Sequence, residues 1–183
     1  NHIIIFLNNN IKIIYNDPRR FGYFKLLNKN YINEKPLITL GPDPFDLKFN
    51  FLYIKKYIKK KKLSIKSLLI DQSFVGGIGN IYANEILFYC RLNPTKSVVK
   101  LSNKNIRDIL INTKKVLKKA IFFGGSSIKD FKGTDGKRGT FQQNFKVYGK
   151  EHAKCPRRSC NEQIIKVIIN NRSAFYCMKC QNL

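Results

Sequence analysis

The sequence predicts an α+β fold in three parts: the end of an antiparallel β-sandwich, a helical bundle and a C-terminal β-hairpin. Three observations predict it. Short β-rich runs alternate with polar breaks near the start, apolar residues then recur at helical spacing, and the final residues return to β character with two cysteines at each end of a hairpin. We therefore expect domains at 1–45, 46–145 and 146–183.

The first part contains the β-rich runs "HIIIFL" and "IKIIYN", separated by three asparagines at 8–10. Asparagine clusters between apolar runs favour tight turns, so these runs predict a hairpin. Prolines then accumulate, and "LGPDPF" (40–45) is typical of a linker that joins two domains.

Four helices are predicted in the second part. The first covers 46–62 and ends in a lysine run, and the second covers Ser64–Ile70. The third begins near Ile78, after a glycine-rich turn, and ends at an Asn-Pro pair. The fourth follows Ser102, whose hydroxyl suits a helix N-cap. This order predicts a helical bundle between the sheet and the hairpin.

The charge of the chain indicates its class of partner. Lysine and arginine number 35 against 11 acidic residues, a net charge of +24. Such an imbalance favours a polyanion, nucleic acid first and an anionic membrane surface second. An AT-rich coding sequence would also produce many lysines, although it does not account for the scarcity of acidic residues. No apolar run approaches the ~20 residues that a membrane span needs, and no signal peptide is evident, so we expect no membrane association.

Four cysteines predict a metal site. Cys155, Cys160, Cys177 and Cys180 have the spacing C-x4-C-x16-C-x2-C, which can close a tetrahedral site of four thiolates around one structural zinc ion. Because a hairpin of this size has little core, the metal would supply much of its folding energy. The alternative is four incidental buried cysteines. Cys90 is expected to be an apolar residue inside a helix.

Three further stretches contain residues suited to DNA contacts. In "GGIGN" the glycines permit close approach of the backbone, and the helix N-terminus with Asn80 suits a phosphate; the alternative is a simple connector between helices. Arg172 lies at the hairpin tip, where it can reach a groove or a phosphate or remain solvated. Phe21, in "NDPRRFG", can wedge into a base stack or belong to the core.

Together and in this order, these stretches resemble the formamidopyrimidine-DNA glycosylase family of bacterial base-excision repair enzymes. The resemblance rests on six collinear stretches: "NDPRRFG", "LGPDPF", "DQSFVGGIGNIYANE", "GGSSIKDF", "TDGKRGTFQQNFKVYG" and "RSAFYCMKCQ". It implies that the glycine-rich turn belongs to a helix–two-turn–helix element and that the C-terminus is a zinc finger. The expected partner is double-stranded DNA that contains oxidised bases.

The resemblance also implies an activity, that of a bifunctional DNA glycosylase and AP lyase. Such an enzyme flips 8-oxoguanine or formamidopyrimidine out of the duplex. An N-terminal proline amine then attacks the sugar C1′, and the resulting Schiff base leads to β- and δ-elimination.

Six residues take roles from the resemblance alone. Arg19 matches the arginine opposite the lesion, Phe21 the intercalating wedge and Lys61 a DNA-binding lysine. Asn80 matches the phosphate-binding asparagine, and Arg172 matches the proton donor in δ-elimination. Lys129 lies in the segment that matches the mobile loop over the flipped base, 129–140.

The proline nucleophile, its neighbouring glutamate and the β-elimination lysine match no residue of these 183. The chain also opens inside a β-rich run and not with Met, so we expect either a partial protein with an upstream portion or a degenerate remnant that only binds DNA. In both cases we expect no glycosidic cleavage by these residues alone. We further expect a monomer in the bacterial cytoplasm, associated with the nucleoid through DNA. Two alternatives remain, an endonuclease VIII-like glycosylase for oxidised pyrimidines and a non-catalytic zinc-ribbon nucleic-acid-binding protein.

Overall fold

Two antiparallel hairpins and four α-helices make up the computed structural model in the part of the chain that it describes, residues 2–17, 20–27, 29, 31–126 and 138–182. The chain divides into two compact units, Asn1–Ile38 and Thr39–Leu183. The α+β class predicted from the sequence is confirmed. The structure does not test the predicted three-domain division, which stays a prediction.

The first unit contains strands β1 (Ile3–Phe6) and β2 (Lys12–Tyr15), paired antiparallel. The asparagines between them turn the chain, since Asn9 and Asn10 have φ values of 65° and 58°. Asparagine tolerates this left-handed region better than most residues do, which explains the asparagine cluster at the turn. Two short 3-10 turns follow: Tyr31–Asn33 belongs to the first unit, and Leu37–Thr39 lies where the chain passes from the first unit to the second.

Helix α1 (Phe51–Ile58) opens the second unit and is shorter than the helix predicted over 46–62. The Asp46 carboxylate accepts the amide N–H of Lys48 at 2.8 Å, so the chain turns before the helix begins. Asn50 then caps the helix by accepting the N–H of Tyr53 at 3.0 Å. Four consecutive lysines follow Ile58, and the repulsion among their charges disfavours a longer helix.

Three more helices complete the bundle. Helix α2 (Ile65–Ile70) is capped by Ser64, and α4 (Asn103–Phe122) begins with a capping box formed by Ser102 and Asn105, as Ser102 predicted. Helix α3 is Asn80–Cys90 and begins two residues later than expected, because the chain is still extended at its N-cap. No helix in the described ranges is long and apolar enough to cross a membrane.

The stretch predicted as a linker packs against the turn between α2 and α3. The N–H of Gly41 donates to the carbonyl of Gln72 at 2.8 Å, and the N–H of Gly76 donates to the carbonyl of Pro42 at 3.1 Å. A Cβ added to Gly41 would lie 2.5 Å from the carbonyl carbon of Phe74, so only glycine permits this approach. The turn between α2 and α3, residues 71–79, is the two-turn segment, and the chain that precedes α1 supports it.

The helices enclose the main core, and a smaller cluster lies beneath the C-terminal hairpin. That hairpin pairs β3 (Ile164–Ile169) with β4 (Arg172–Cys177), with Ile164 opposite Cys177. The smaller cluster consists of few residues, three of them cysteines: Phe88, Val147, Cys155, Cys160, Ile164, Phe175 and Cys177. So small an apolar cluster supplies little folding energy by itself.

Candidate nucleic-acid interface and metal centre

The four cysteine sulfur atoms lie within 4.8 Å of one another. The Sγ atoms of Cys155 and Cys180 are 3.9 Å apart, and those of Cys160 and Cys177 are 3.6 Å apart. A tetrahedral zinc ion with Zn–S bonds of about 2.3 Å requires sulfur atoms about 3.8 Å apart. The donor set therefore fits a four-coordinate soft divalent metal such as zinc.

Two side chains fasten the cysteine turns to the C-terminal end of α3. Arg157, between the first two cysteines, donates from Nη2 to the carbonyl of Phe88 at 2.6 Å, and its guanidinium lies 4.5 Å from the Phe88 ring centroid. Gln181 donates from Nε2 to the carbonyl of Leu92 at 2.9 Å, and its Oε1 accepts the N–H of Cys177 at 3.1 Å. The metal centre is thus fixed to the helical bundle.

The N-terminal turn of α3 is bonded to the other end of the same hairpin. Asn80 donates from Nδ2 to the carbonyl of Ser173 at 3.1 Å. One turn later, Asn84 accepts the N–H of Phe175 at 2.6 Å and donates to the carbonyl of Asn80 at 2.6 Å. These bonds place Asn80 beside Ser173, the residue that follows Arg172. The side chain of Arg172 is exposed.

Lys66 is a site residue that the sequence pattern does not indicate. Its side chain is fully buried, and its Nζ donates to the carbonyls of Ser173 at 2.7 Å and Arg172 at 3.2 Å. Burial, followed by the positive charge of Arg172, lowers the pKa of Lys66 from 10.5 to about 8. In the sequence only its position in the apolar stretch Ile65–Ile70 distinguishes it from the exposed lysines at 59–62.

The glycines position the N-terminus of α3 for a ligand. Gly77 has a φ of +82°, and its N–H donates to Oε1 of Gln72 at 2.9 Å. Gly79 is the N-cap and has no side chain to bond the first-turn N–H groups. A Cβ placed on Gly79 would meet nothing within 4 Å. Among the described residues, no side chain caps the first-turn N–H groups of the helix, and these groups with the partial positive charge of the helix N-terminus suit a phosphate.

A second residue that the sequence does not indicate is Glu85, which is 1% exposed. Its carboxylate accepts three consecutive backbone N–H groups, those of Lys146 at 2.8 Å, Val147 at 3.0 Å and Tyr148 at 2.9 Å. Helix α3 thereby holds the segment that leads to Cys155, the first of the four clustered cysteines.

The remaining predicted residues lie in different parts of the chain. Lys61 is exposed, with its ammonium 4.8 Å from the Tyr57 ring centroid, and Tyr57 in turn contacts Ser73 in the two-turn segment. Phe21 belongs to the first unit and is 77% exposed. Arg19 and Lys129 lie outside the described residues.

Comparison with known proteins agrees with this geometry. The sequence model of a protein family, the formamidopyrimidine-DNA glycosylase H2TH domain, matches residues 40–132. These residues contain α1 to α4 and the glycine-rich turn. The chain belongs to the formamidopyrimidine-DNA glycosylase family. The resemblance seen in the sequence is thus confirmed.

Curated formamidopyrimidine-DNA glycosylases are similar along nearly the whole chain. The protein of Roseobacter denitrificans is 38% identical over 181 residues, and that of Pasteurella multocida is 40% identical over 181 residues. Each alignment covers 98% of this chain, but only 64% and 66%, respectively, of the relative. The chain thus spans about two thirds of the length of these formamidopyrimidine-DNA glycosylases.

Solved structures of the family share the fold. The MutM (Fpg) protein of Thermus thermophilus superimposes with a TM-score of 0.87 at 32% identity, over 97% of this chain and 67% of its own. The Lactococcus lactis Fpg, in complex with DNA that contains an abasic site, gives a TM-score of 0.84 at 31% identity, over 94% and 63% of the two chains.

Proposed function

We propose that this chain is the DNA-binding part of a DNA glycosylase and AP lyase that removes oxidised purines in base-excision repair. One observation carries the proposal: Asn80 and Lys66 both donate to the carbonyl of Ser173, the residue after Arg172. The α3 N-terminus, an amide side chain and an exposed guanidinium are therefore neighbours in a strongly basic chain. That arrangement suits consecutive phosphates of one strand.

The roles of individual residues follow from this arrangement and from the family. Asn80 uses one Nδ2 hydrogen for Ser173 and has a second for a phosphate. Arg172 is free to reach the sugar–phosphate bond and to donate the proton in δ-elimination. Lys61 contacts the backbone. In the first unit, Phe21 enters the base stack and Arg19 contacts the opposite strand.

Lys129, in the same proposal, belongs to the loop that covers the flipped base. Because no residue of the chain matches the proline nucleophile, its neighbouring glutamate or the β-elimination lysine, we expect these residues alone to bind damaged duplex without cleaving it. We also propose that it is a monomer and that it acts in the bacterial cytoplasm, held on the nucleoid by its DNA contacts.

Zinc is the metal that we propose for the four cysteines. Four thiolates complete the coordination shell and leave no position for water, so the ion would be structural. The ion would hold β4, which begins with Arg172, against α3.

Fluorescence anisotropy with four labelled duplexes tests the function: undamaged DNA, 8-oxoguanine DNA, a tetrahydrofuran abasic analogue and thymine glycol DNA. We expect tighter binding to the 8-oxoguanine and abasic duplexes. Equal affinity for all four would contradict the proposal and favour a non-catalytic binder. A preference for thymine glycol would favour an endonuclease VIII-like enzyme.

The variant Phe21→Ala sharpens the experiment. Because Phe21 is 77% exposed, its removal should lower lesion preference without lowering the unfolding temperature. Phe122→Ala is the matched control, since Phe122 is 84% exposed and lies on α4. Equal effects of the two substitutions on lesion preference would exclude a wedge at position 21.

A further inference from the structure

A groove of about 570 Å³ lies between α1 and the segment that leads into α4. Apolar side chains form its floor. Leu52 and Val99 are 73% and 56% exposed, and Ile58 and Ile106 lie buried beneath them. Exposed aliphatic side chains that line one concave surface are a favourable site for another apolar surface.

Lysines form the rim of this groove. Lys55, Lys56 and Lys59 line it and are exposed, and no acidic residue does so in the described part of the chain. Over the described residues none of the three forms an ion pair with a carboxylate. The range 47–70 contains eight lysines and no aspartate or glutamate. The rim thus has strong positive charge that the chain itself does not neutralise.

The groove and the proposed DNA-binding site lie on different faces of α1. Leu52, Lys55, Lys56 and Lys59 are spaced i, i+3, i+4 and i+7, which places them in one stripe along the helix. Tyr53 lies on another face, since its hydroxyl donates to the carbonyl of Phe74 in the two-turn segment at 2.7 Å. No lining residue of the groove belongs to the candidate nucleic-acid interface.

We propose that this groove binds an acidic amphipathic helix of a partner protein. The apolar stripe of that helix would cover Leu52 and Val99, and its carboxylates would pair with the lysine rim. The α1 stripe rises about 10 Å, which matches two turns of a bound helix. A DNA backbone offers phosphates but little apolar surface, so it would leave the floor of the groove uncovered. This inference does not depend on the proposed repair function.

A synthetic peptide tests the proposal. The probe is a labelled helical 14-mer with leucine along one stripe and glutamate elsewhere, and the control peptide has the same composition with the leucines dispersed. We expect fluorescence anisotropy to show binding of the probe, and binding of the control at least about tenfold weaker. Equal binding of the two peptides, or no binding of the probe, would overturn the proposal.

Two variants of the protein locate the binding. Leu52→Gln keeps the net charge and changes an exposed residue, so it should weaken peptide binding about tenfold and leave duplex DNA affinity unchanged. Lys56→Glu and Lys60→Glu change the charge equally, but only Lys56 lines the groove. Peptide affinity should therefore fall more for Lys56→Glu, whereas duplex affinity should fall equally for both.

The outcomes separate the other occupants. A larger loss of duplex affinity for Lys56→Glu than for Lys60→Glu would make the groove a DNA surface and refute the proposal. Unchanged peptide affinity in Leu52→Gln would also refute it. Vesicles of phosphatidylserine and phosphatidylcholine provide the last comparison: vesicle binding that depends on Leu52, without peptide binding, would assign the groove to a membrane surface.

Discussion

The ammonium of Lys66 lies 2.7 Å from the carbonyl oxygen of Ser173, although the two residues are 107 positions apart in the chain. The same ammonium reaches the carbonyl of Arg172 at 3.2 Å. A fully buried lysine in α2 therefore sets the start of β4. The proposed position of Arg172 on DNA therefore depends on a lysine that is itself buried.

Replacing Lys66 should loosen this connection. In Lys66→Met two carbonyls lose their donor, so we expect the free energy of unfolding to fall by about 1–3 kcal/mol. Duplex affinity should fall as well, because Arg172 is less well positioned. Denaturant unfolding and fluorescence anisotropy measure the two effects. The control is Lys62→Met at an exposed lysine, and equal behaviour of the two variants would show that Lys66 has no special role.

The lowered pKa of Lys66 gives this contact a pH dependence. Its pKa is about 8 in the folded protein and 10.5 for the ordinary side chain, so the unfolded state binds more protons between these pH values. Stability rises with pH wherever the unfolded state binds more protons. The cost of a charged, buried ammonium is therefore complete below about pH 8 and is relieved as the pH rises toward 10.5. Urea unfolding at about pH 7 and about pH 10 should show wild type gaining stability relative to Lys66→Met. A constant difference would contradict the assignment.

Glu85 should be essential for the segment 146–148. Its carboxylate accepts three N–H groups, whereas the glutamine of Glu85→Gln has a single acceptor oxygen and would direct an NH₂ group at a backbone N–H. We expect a loss of about 2–3 kcal/mol in unfolding free energy. Thermal and urea unfolding measure it. The matched control is Glu151→Gln, which weakens two surface contacts, with Lys166 at 3.6 Å and with His152 at 3.9 Å, and should change stability by less than about 0.5 kcal/mol.

Asn80→Ala should weaken binding to damaged and undamaged duplexes alike. The substitution removes a phosphate donor and the bond to Ser173, and we expect a loss of roughly tenfold in affinity. Asn112→Ala, which removes a similar side-chain bond to the carbonyl of Asp108 on α4, is the control and should retain binding. Loss of affinity for lesion-containing DNA alone would argue against a phosphate contact.

Metal removal should unfold the C-terminal hairpin. We expect one zinc ion per chain by elemental analysis, loss of that ion in Cys177→Ser, and its retention in Cys90→Ala, since Cys90 lies in α3 away from the cluster. After chelation, the amide signals of β3 and β4 should lose dispersion, and duplex affinity should fall with them. Full DNA binding by a zinc-free protein would refute the structural role of the metal.

Local chemistry accounts for the elements that the sequence predicts well. The turn at Asn9 and Asn10, the Ser102 cap and the cysteine spacing each depend on residues close together in the chain. The sequence determines the start of α3 less closely, because glycines permit both an extended chain and a helical turn at Ile78. The helix predicted over 46–62 is longer than α1, because the apolar spacing begins at Leu47, in a stretch that forms a turn in the structure.

The most consequential contacts could not be predicted. Lys66 is one of eight lysines between 47 and 70, and Glu85 lies on a helix of ordinary composition. Their partners are 107 and 61 positions away, beyond any local pattern. These two side chains differ from other lysines and glutamates only in the folded chain, where distant residues bury them.

Helix α3 is bonded at both ends to the C-terminal segment 146–183, which contains the four cysteines. Arg157 and Gln181 form these bonds at the C-terminal end of the helix, and Asn80 and Asn84 form them at its N-terminal end. Protein engineers who wish to transplant the metal-binding module would therefore need to move this helix with it. A chimera joined between residues 145 and 146 would cut across every one of those bonds. The graft would need to begin before Ser64, because Lys66 of α2 also bonds the carbonyls of Arg172 and Ser173, so that donor and recipient meet in the lysine run at 59–62.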